Sequence, residues 1–286
     1  MEYQGSAIHP TSIDKPFEVV EGLLGPQLRI YTEWTSEIEL KVNSLEFKEI
    51  GFQFWPQESI GFLSRFRHIL GLGLSVRNTD PSPIMCLNNL RWLNLTNFSR
   101  VGIDFSSFMH LESCNVHWNA SVGSLLWLKT LKELCVYRFA KEKLSRLGGM
   151  EGLTTLKMFG CGASSLDALR DLRSLEFLRI SQLSRLKDNE FLRDMKNLRS
   201  LIVQECTGFH SLTSLSSLEH LEELVLEDVG RIHSLKPLEG LTKLKSVVLM
   251  GNRTCIEESD HLLLSKLPRL ERLVIRFCDG VVFEAS

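Results

Sequence analysis

The sequence has no apolar run approaching the roughly 18 residues that a membrane-spanning helix needs. Its formal net charge is only -2 over 286 residues, so it carries no electrostatic footprint for nucleic acid or an anionic membrane surface. The first ten residues contain no basic segment followed by an apolar run, as a secretory signal would require. These absences predict no nucleic-acid partner and no membrane partner, and they favour a cytoplasmic location.

Signatures of catalysis are also missing. No GxxxxGK motif followed by Ser or Thr occurs, and the segment from Gly71 to Ser75 lacks the third glycine of a dinucleotide site. Cys114 and His117 are three residues apart, but on a strand they would point to opposite faces and could not share one ion. Residues 1–64 offer no pair of nucleophile and base. The sequence therefore predicts no enzyme, no cofactor and no metal site.

What the sequence does contain is a leucine pattern, L-x-x-L-x-L, repeated nine times at start-to-start spacings of 20 to 26 residues. Val, Ile or Met also occupies the third position, and Cys114 and Val247 stand in for the second leucine. The nine instances begin at Leu90, Leu111, Leu131, Leu153, Leu175, Leu198, Leu221, Leu244 and Leu270. A fixed period of this size predicts a stacked solenoid, in which no single coil is stable alone.

Each leucine core is predicted to be a short strand whose leucines point inward and whose intervening residues point outward. Because the strand recurs once per coil, neighbouring coils would pair in parallel. The second half of a coil has leucines every third residue, for example Leu166, Leu169 and Leu172. That spacing suits a 3-10 turn or a short helix that packs beneath the sheet.

The pattern resembles the leucine-rich repeat superfamily, nearest to the 22-residue class found in internalins and in intracellular phosphatase-regulatory proteins. The resemblance covers residues from about 69 to 286, where nine repeats agree in register. It implies the α/β class: a solenoid with a curved parallel β-sheet on the concave face and short helices or 3-10 turns on the convex face. Solenoids of this kind mostly hold another molecule, so the resemblance also implies a binding function.

Residues 1–64 do not show the leucine period. They are predicted to form a β-rich N-terminal cap, followed over residues 65–286 by a solenoid of about nine to ten repeats, the tenth beginning at Ile69. The predicted cap contains two strand-like runs, 38–42 and 45–47, and an aromatic cluster of Phe52, Phe54 and Trp55. A cap would cover the open edge of the first coil. A separate functional module is the alternative.

The seven cysteines are an odd number. Cys161, Cys206 and Cys278 each lie eight residues after the first leucine of a repeat, where a small buried residue is expected. Free cysteine behaves as a small hydrophobe. The paired cysteines that often cap secreted members of the superfamily are missing at both ends. A reducing, cytoplasmic environment is therefore predicted.

The outward positions of each strand fall two, four and six residues after the first leucine, with a rim position next. Aromatic residues recur there on consecutive coils, interleaved with arginine and lysine, and Trp, Tyr and Arg are enriched in interface hot spots. The predicted partner-binding residues are Trp92, Asn94, Asn115, His117, Trp118, Tyr137, Arg138, Lys157, Phe159, Phe177, Arg179, Gln204, Glu205, Glu223 and Glu227. The acidic members predict basic residues on the partner toward the C-terminal coils. The alternative is that some of the aromatics pack on one another or under the N-terminal segment.

These features together predict a non-enzymatic binding module, monomeric when free, that holds a folded protein partner in its concave face. One version is an inhibitor or immunity protein that neutralises a toxin or an enzyme by occluding it. The alternative is a ligand-sensing fragment or adaptor of a larger receptor or signalling protein.

Overall fold

In the computed structural model, which describes residues 15–44, 47–53, 59–75, 80–96, 102–256 and 261–285, fourteen strands form one sheet in chain order. They are β1 Phe17–Glu21, β2 Pro26–Ile30, β3 Glu49–Phe52, β4 Gly71–Ser75, β5 Trp92–Thr96, β6 Ser113–His117, β7 Glu133–Tyr137, β8 Thr155–Phe159, β9 Phe177–Ser181, β10 Ser200–Gln204, β11 Glu223–Glu227, β12 Ser246–Met250, β13 Arg272–Arg276 and β14 Val282–Ala285. Every pairing from β2 to β13 is parallel. The two terminal strands pair antiparallel and occupy the two edges of the sheet.

Short helical segments connect the strands. They are the α-helices α1 Ser36–Asn43, α2 Leu144–Gly148 and α3 His261–Leu264, and the 3-10 segments Gly61–Arg65, Ser82–Cys86, Phe105–Ser107, Ala120–Trp127, Lys141–Lys143, Asp167–Leu169, Glu190–Asp194, Thr213–Ser217 and Lys236–Leu238. The backbone N–H of Leu169 donates to the carbonyl of Leu166 at 2.8 Å, and that of Leu172 to Leu169 at 3.0 Å. All three side chains are buried. Leucines recur every third residue because the turn itself contains three residues.

The core is a continuous column of aliphatic side chains between the sheet and these turns. Strands β6, β8, β10, β11 and β12 alternate half-buried and buried residues along their length. Inward side chains such as Leu156, Leu178 and Leu201 are 0% exposed. Each such leucine contributes roughly 1.5–3 kcal/mol relative to an exposed one. The predicted fold class, a leucine-rich repeat solenoid with its parallel sheet on the concave face, is confirmed.

The sheet does not break at residue 64. Leu28, Ile50 and Leu72 face one another in register on β2, β3 and β4, 22 residues apart each time. The period therefore continues into the predicted cap, where isolated aliphatic residues replace the full leucine pattern. The division into a cap and a solenoid stays a prediction. What the structure adds is that β1 covers the outer edge of β2.

One predicted strand is wrong. Residues 38–42 lie in the helix α1 and not in a strand. Ile38 and Val42 are buried, whereas Leu40, between them, is 73% exposed. A burial spacing of four residues is helical, and the Thr35 hydroxyl caps the helix by accepting from the Ile38 N–H at 3.3 Å. The other predicted run, 45–47, lies partly outside the described residues, as do Phe54 and Trp55 of the aromatic cluster.

Candidate functional site on the concave face

The outward side chains of the parallel sheet form three rows that run across the coils. The central row, four residues after each first leucine, contains Asn94, Asn115, Cys135, Lys157, Arg179, Ile202, Val225, Val248 and Val274. Four of its first five members are polar, the exception being Cys135, and its last four are aliphatic. The concave face therefore changes character between β9 and β10.

An aromatic–basic cluster occupies the middle of this face, composed of His117, Tyr137, Lys157, Phe159, Phe177 and Arg179. The rings of Tyr137 and Phe159 are stacked, with centroids 4.8 Å apart and planes inclined by 13°. The imidazole of His117 meets the Tyr137 ring edge-on, also at 4.8 Å. Four adjacent strands, β6 to β9, supply these groups, so six of the predicted partner-binding residues lie together.

The two cations of the cluster are direct neighbours across β8 and β9. They lean apart: the Lys157 ammonium lies 5.3 Å from the centroid of Phe177, and the Arg179 guanidinium lies 5.3 Å from the centroid of Phe159. Cation–π attraction of this kind contributes about 0.5–2 kcal/mol. Within the part of the chain that the structure describes, neither cation forms a salt bridge with a carboxylate.

The aromatic members of the cluster are uncharged at neutral pH. Burial raises the pKa of Tyr137 to about 12. Burial, followed by the nearby positive charge of Arg138, lowers the pKa of His117 below its ordinary value of 6.5. The positive charge of the cluster is therefore that of its lysine and its arginine, presented beside neutral ring faces and a phenolic hydroxyl.

The acidic members of the predicted site lie on the next strands. The Arg179 guanidinium donates to Gln204 Oε1 at 3.0 and 2.6 Å, and Gln204 Nε2 donates to Glu227 Oε2 at 2.5 Å. Glu223 accepts from the Ser200 hydroxyl at 2.5 Å. A hydrogen-bonded chain thus links the basic region to the acidic one across three coils. These hydrogen bonds hold the side chains of Arg179, Gln204 and Glu227 in place in the free protein.

Trp92 does not join the cluster. Its indole lies over Gly71 and Gly73 of the neighbouring strand β4, and a methyl group added at Gly71 would overlap the ring. The indole Nε1 and the side-chain oxygens of Asn94 and Asn115 are buried, and no hydrogen-bond partner for them occurs among the described residues. Trp92 is therefore held flat by glycine backbone, and its predicted role in binding stays a prediction.

Trp118 is likewise turned away from the cluster. Its ring packs on Phe139, with centroids 4.5 Å apart, and against the hydrophobic core. Trp118 follows the end of β6, and its backbone N–H donates to the carbonyl of Tyr137 at 2.8 Å. The outcome resembles the alternative in which some aromatics pack on one another.

The rim position that follows each of the six strands from β7 to β12 has a left-handed backbone. Arg138, Gln182, Glu205 and Asp228 have φ values of 55°, 60°, 52° and 53°, and Gly160 and Gly251 occupy the same position in other coils. Non-glycine residues rarely adopt this conformation, which costs about 1–2 kcal/mol each. Of the three predicted partner-binding residues at the rim, Arg138 and Glu205 are exposed and flank the concave face, whereas Trp118 packs against the core.

Sequence reasoning missed an apolar patch outside the concave face. Met109 is 69% exposed and Trp127 is 64% exposed, and the Arg146 guanidinium lies 4.9 Å from the Trp127 centroid. Met109 also borders an open hollow of about 510 Å³ at the edge where the strands begin. The only sequence signal is that both residues depart from the three-residue leucine spacing of the turns.

Among the described residues, no group of three or more His, Cys, Asp or Glu side chains is placed to hold a metal ion. No helix there is both long and apolar enough to cross a membrane.

Neither a family model nor a curated protein sequence matches the chain. Among solved structures, the chain is similar to internalins of Listeria monocytogenes. InlF shares 16% identity at a TM-score of 0.59, over 80% of this chain and 67% of that chain. InlJ, whose functional domain includes a cysteine ladder, shares 16% at 0.52, over 78% and 54%. Internalin C2 shares 19% at 0.50, over 63% and 81%. This likeness establishes the leucine-rich repeat fold and confirms the resemblance that the sequence pattern indicated.

Proposed function

We propose that the chain is a protein-binding module that holds a folded protein partner against its concave face. The observation that carries the proposal is the pair Lys157 and Arg179. Like charges on directly opposed strand positions repel each other and destabilise a sheet. Among the described residues, no carboxylate forms a salt bridge with Lys157 or Arg179, and both side chains lie beside aromatic rings. A carboxylate supplied by a partner would relieve the repulsion.

The order of basic and acidic residues along the concave face predicts how charges are arranged on the partner. Lys157 lies on β8 and Glu223 and Glu227 lie on β11, three strand spacings or about 14 Å away. A partner that fits would present an acidic side chain to β8 and β9 and a basic one to β11. The sheet as a whole exceeds the length needed for a standard interface of about 800 Å² per partner. Predicted contacts at Asn94, Asn115, Gln204 and Glu205 would lie at its margins.

Two specific roles are consistent with a concave protein-binding face. A non-enzymatic module of this kind would act as an inhibitor or immunity protein by covering a toxin or an enzyme. It would act as the ligand-sensing part of a receptor if a further domain transmitted the binding event. Seven free cysteines support a reducing, cytoplasmic location. In this proposal the protein is a monomer when free, and residues 1–64 serve as the cap of the solenoid.

Affinity capture from cells of the source organism tests this function. The wild-type chain is compared with Lys157→Glu plus Arg179→Glu, and with the matched control Lys236→Glu plus Lys266→Glu, whose lysines are exposed outside the concave face. The concave variant should lose its partner with a drop in affinity of 30-fold or more, equivalent to about 2 kcal/mol, whereas the control should keep it. Recovery of the same proteins in equal yield by both variants would rule out this face. Circular dichroism establishes that both remain folded.

A further inference from the structure

Two cysteines meet at the C-terminal end of the solenoid. Cys255 precedes Ile256, which forms an isolated parallel bridge with Phe277, and Cys278 follows that bridge directly. The Sγ atoms of Cys255 and Cys278 are 2.6 Å apart. Thus the chain places one thiol from each of two neighbouring coils in direct contact.

This contact is unique among the seven cysteines, all of which lie in described residues. Cys114, Cys161 and Cys206 are buried in the core, as the repeat predicts. Cys86 is exposed, but no other sulfur lies within hydrogen-bond distance of it. Cys278, in contrast, is exposed and has its partner already in place. The repeat predicts a buried residue at Cys278, eight residues after Leu270, and this expectation is wrong because Cys278 is exposed. Cys255 lies eleven residues after Leu244, so the repeat does not predict that the two cysteines meet.

The backbone holds both residues where they are. The Ile232 N–H donates to the carbonyl of Cys255 at 2.9 Å, and the Cys278 N–H donates to the carbonyl of Ile256 at 3.1 Å. A tight turn after Cys278 is closed by the Gly280 N–H, which donates to the carbonyl of Phe277 at 3.0 Å. Joining the two sulfurs therefore requires no rearrangement of the coils.

We propose that Cys255 and Cys278 are a modification site, an oxidisable dithiol that closes to an intrachain disulfide by exchange with glutathione disulfide. The exposed Cys278 thiolate attacks one sulfur of glutathione disulfide and releases one glutathione thiolate. The Cys255 thiolate then attacks Cys278 Sγ of the mixed disulfide and releases the second. Two protein thiols are oxidised, glutathione disulfide is reduced to two glutathione molecules, and the two thiol protons pass to them.

The bond would tie the last parallel coil to the coil before it. In a solenoid each coil contacts only its neighbours, so a bond between two neighbouring coils strengthens one of the few contacts that hold each of them. The closed loop contains α3 and β13, and a cross-link limits the freedom of that segment when it is unfolded. Oxidation would therefore protect the end of the sheet, and reduction would release it.

Intact-mass analysis of the full chain after incubation with glutathione disulfide tests the proposal. Besides a separate glutathione adduct on the exposed Cys86, the wild type should lose two hydrogens, and trypsin, which cuts after Arg253, Lys266 and Arg276, should then yield peptide 254–266 joined to peptide 277–286. Cys255→Ser should stop at a stable glutathione adduct on Cys278. Cys86→Ser, the matched control, should close the disulfide as the wild type does.

A second readout guards against a variant that folds poorly. Hydrogen exchange of the β13 amides in the wild type should slow on oxidation, and the thermal midpoint should rise by a few degrees. A glutathione adduct that persists on Cys278 in the wild type would overturn the proposal. So would a link between two chains, or seven thiols that all remain free to alkylate after treatment.

Discussion

The two halves of the concave face rest on the same leucine core and differ in the aromatic rings and in the central row of side chains that they present outward. From β6 to β9 the face carries stacked rings and two cations. From β10 to β13 its centre is a row of β-branched aliphatic residues, Ile202, Val225, Val248 and Val274, and on β11 this row is flanked by Glu223 and Glu227. The inward leucines of both halves are equally buried.

This difference shows that the fold determines the inward positions of the strands and leaves the outward positions free to vary. Coil stacking fixes the inward positions, since one unpaired polar group there would cost several kcal/mol. The aliphatic central row in the second half is what a half-exposed β-strand favours on its own account. Aromatic and basic residues in the first half are not needed by the sheet. The first half is therefore the better candidate for the centre of an interface, and the second half for its margin.

The largest effects should be the same in both halves. Leu178→Ala on β9 and Leu224→Ala on β11 should each cost about 2–5 kcal/mol, because both side chains are 0% exposed and leave a cavity. Arg179→Ala and Val225→Ala, their outward neighbours, should each cost less than about 1 kcal/mol. Urea unfolding followed by circular dichroism measures all four. If an outward substitution costs as much as an inward one, the two faces have been assigned wrongly in that half.

A smaller effect should distinguish Gly71 from Gly73 beneath Trp92. A methyl group at Gly71 would overlap the indole ring, whereas one at Gly73 would lie 3.5 Å from its nearest ring atoms. Gly71→Ala should therefore displace Trp92 and cost about 1–3 kcal/mol through overpacking, while Gly73→Ala should be nearly neutral. Thermal unfolding gives the stabilities, and tryptophan fluorescence compared with Trp92→Phe reports the ring. Equal stabilities would mean that the indole does not lie on the glycines.

The third effect concerns association with the captured partner. Glu223→Lys plus Glu227→Lys should lower the association rate about tenfold at low salt, because the partner region facing β11 is proposed to be basic. Glu151→Lys plus Glu239→Lys, at exposed positions on other surfaces, is the control with the same charge change. Stopped-flow mixing at two salt concentrations measures the rates. Asp228 is left intact because its Oδ1 accepts from the Arg253 N–H at 2.9 Å and holds the next turn. An unchanged rate would remove the acidic residues from the interface.

Much of this architecture could be predicted from the sequence, because the same short leucine pattern recurs in every coil and therefore describes the whole sheet. Alternation within L-x-x-L-x-L fixes which side chains are buried, and stacking fixes which outward residues are neighbours. The helix α1 was missed because Ile38, Leu40 and Val42 also fit alternation. The local signals for the helix, Thr35 as N-cap and acidic residues in the first turn, were outweighed.

The contacts within the candidate site could not be predicted in the same way. Whether an outward ring lies flat, stacks or turns to the core depends on the residue in the next coil. Trp92 lies flat because glycines face it, and Trp118 turns inward because Phe139 offers a ring. Likewise, the link from Arg179 to Gln204 joins residues 25 positions apart, and it exists only because β9 and β10 are in register.

The smallest predicted effect is again shared by both halves, at the edge where the strands begin. Glu112 lies between Arg91 at 2.8 Å and Lys132 at 3.0 Å, and Glu222 lies between Arg199 at 2.7 Å and Lys245 at 2.6 Å. Hydrogen bonds from the lysine first, and then from the arginine, lower the pKa of each carboxyl below its ordinary value of 4.5.

A carboxylate whose pKa is lowered by folding stabilises the folded state above its unfolded pKa, and the contribution is lost as the pH falls through the folded pKa. The contribution of these two carboxyls should therefore be constant above about pH 5 and decline below pH 4.5. Glu112→Gln and Glu222→Gln should each flatten this decline slightly, by a shift in the thermal midpoint that is small because the pairs are open to solvent. Glu151→Gln should leave it unchanged. Thermal midpoints recorded between pH 6 and pH 3 measure the slope, and a decline that neither variant reduces would show that these pairs contribute nothing to either half of the sheet.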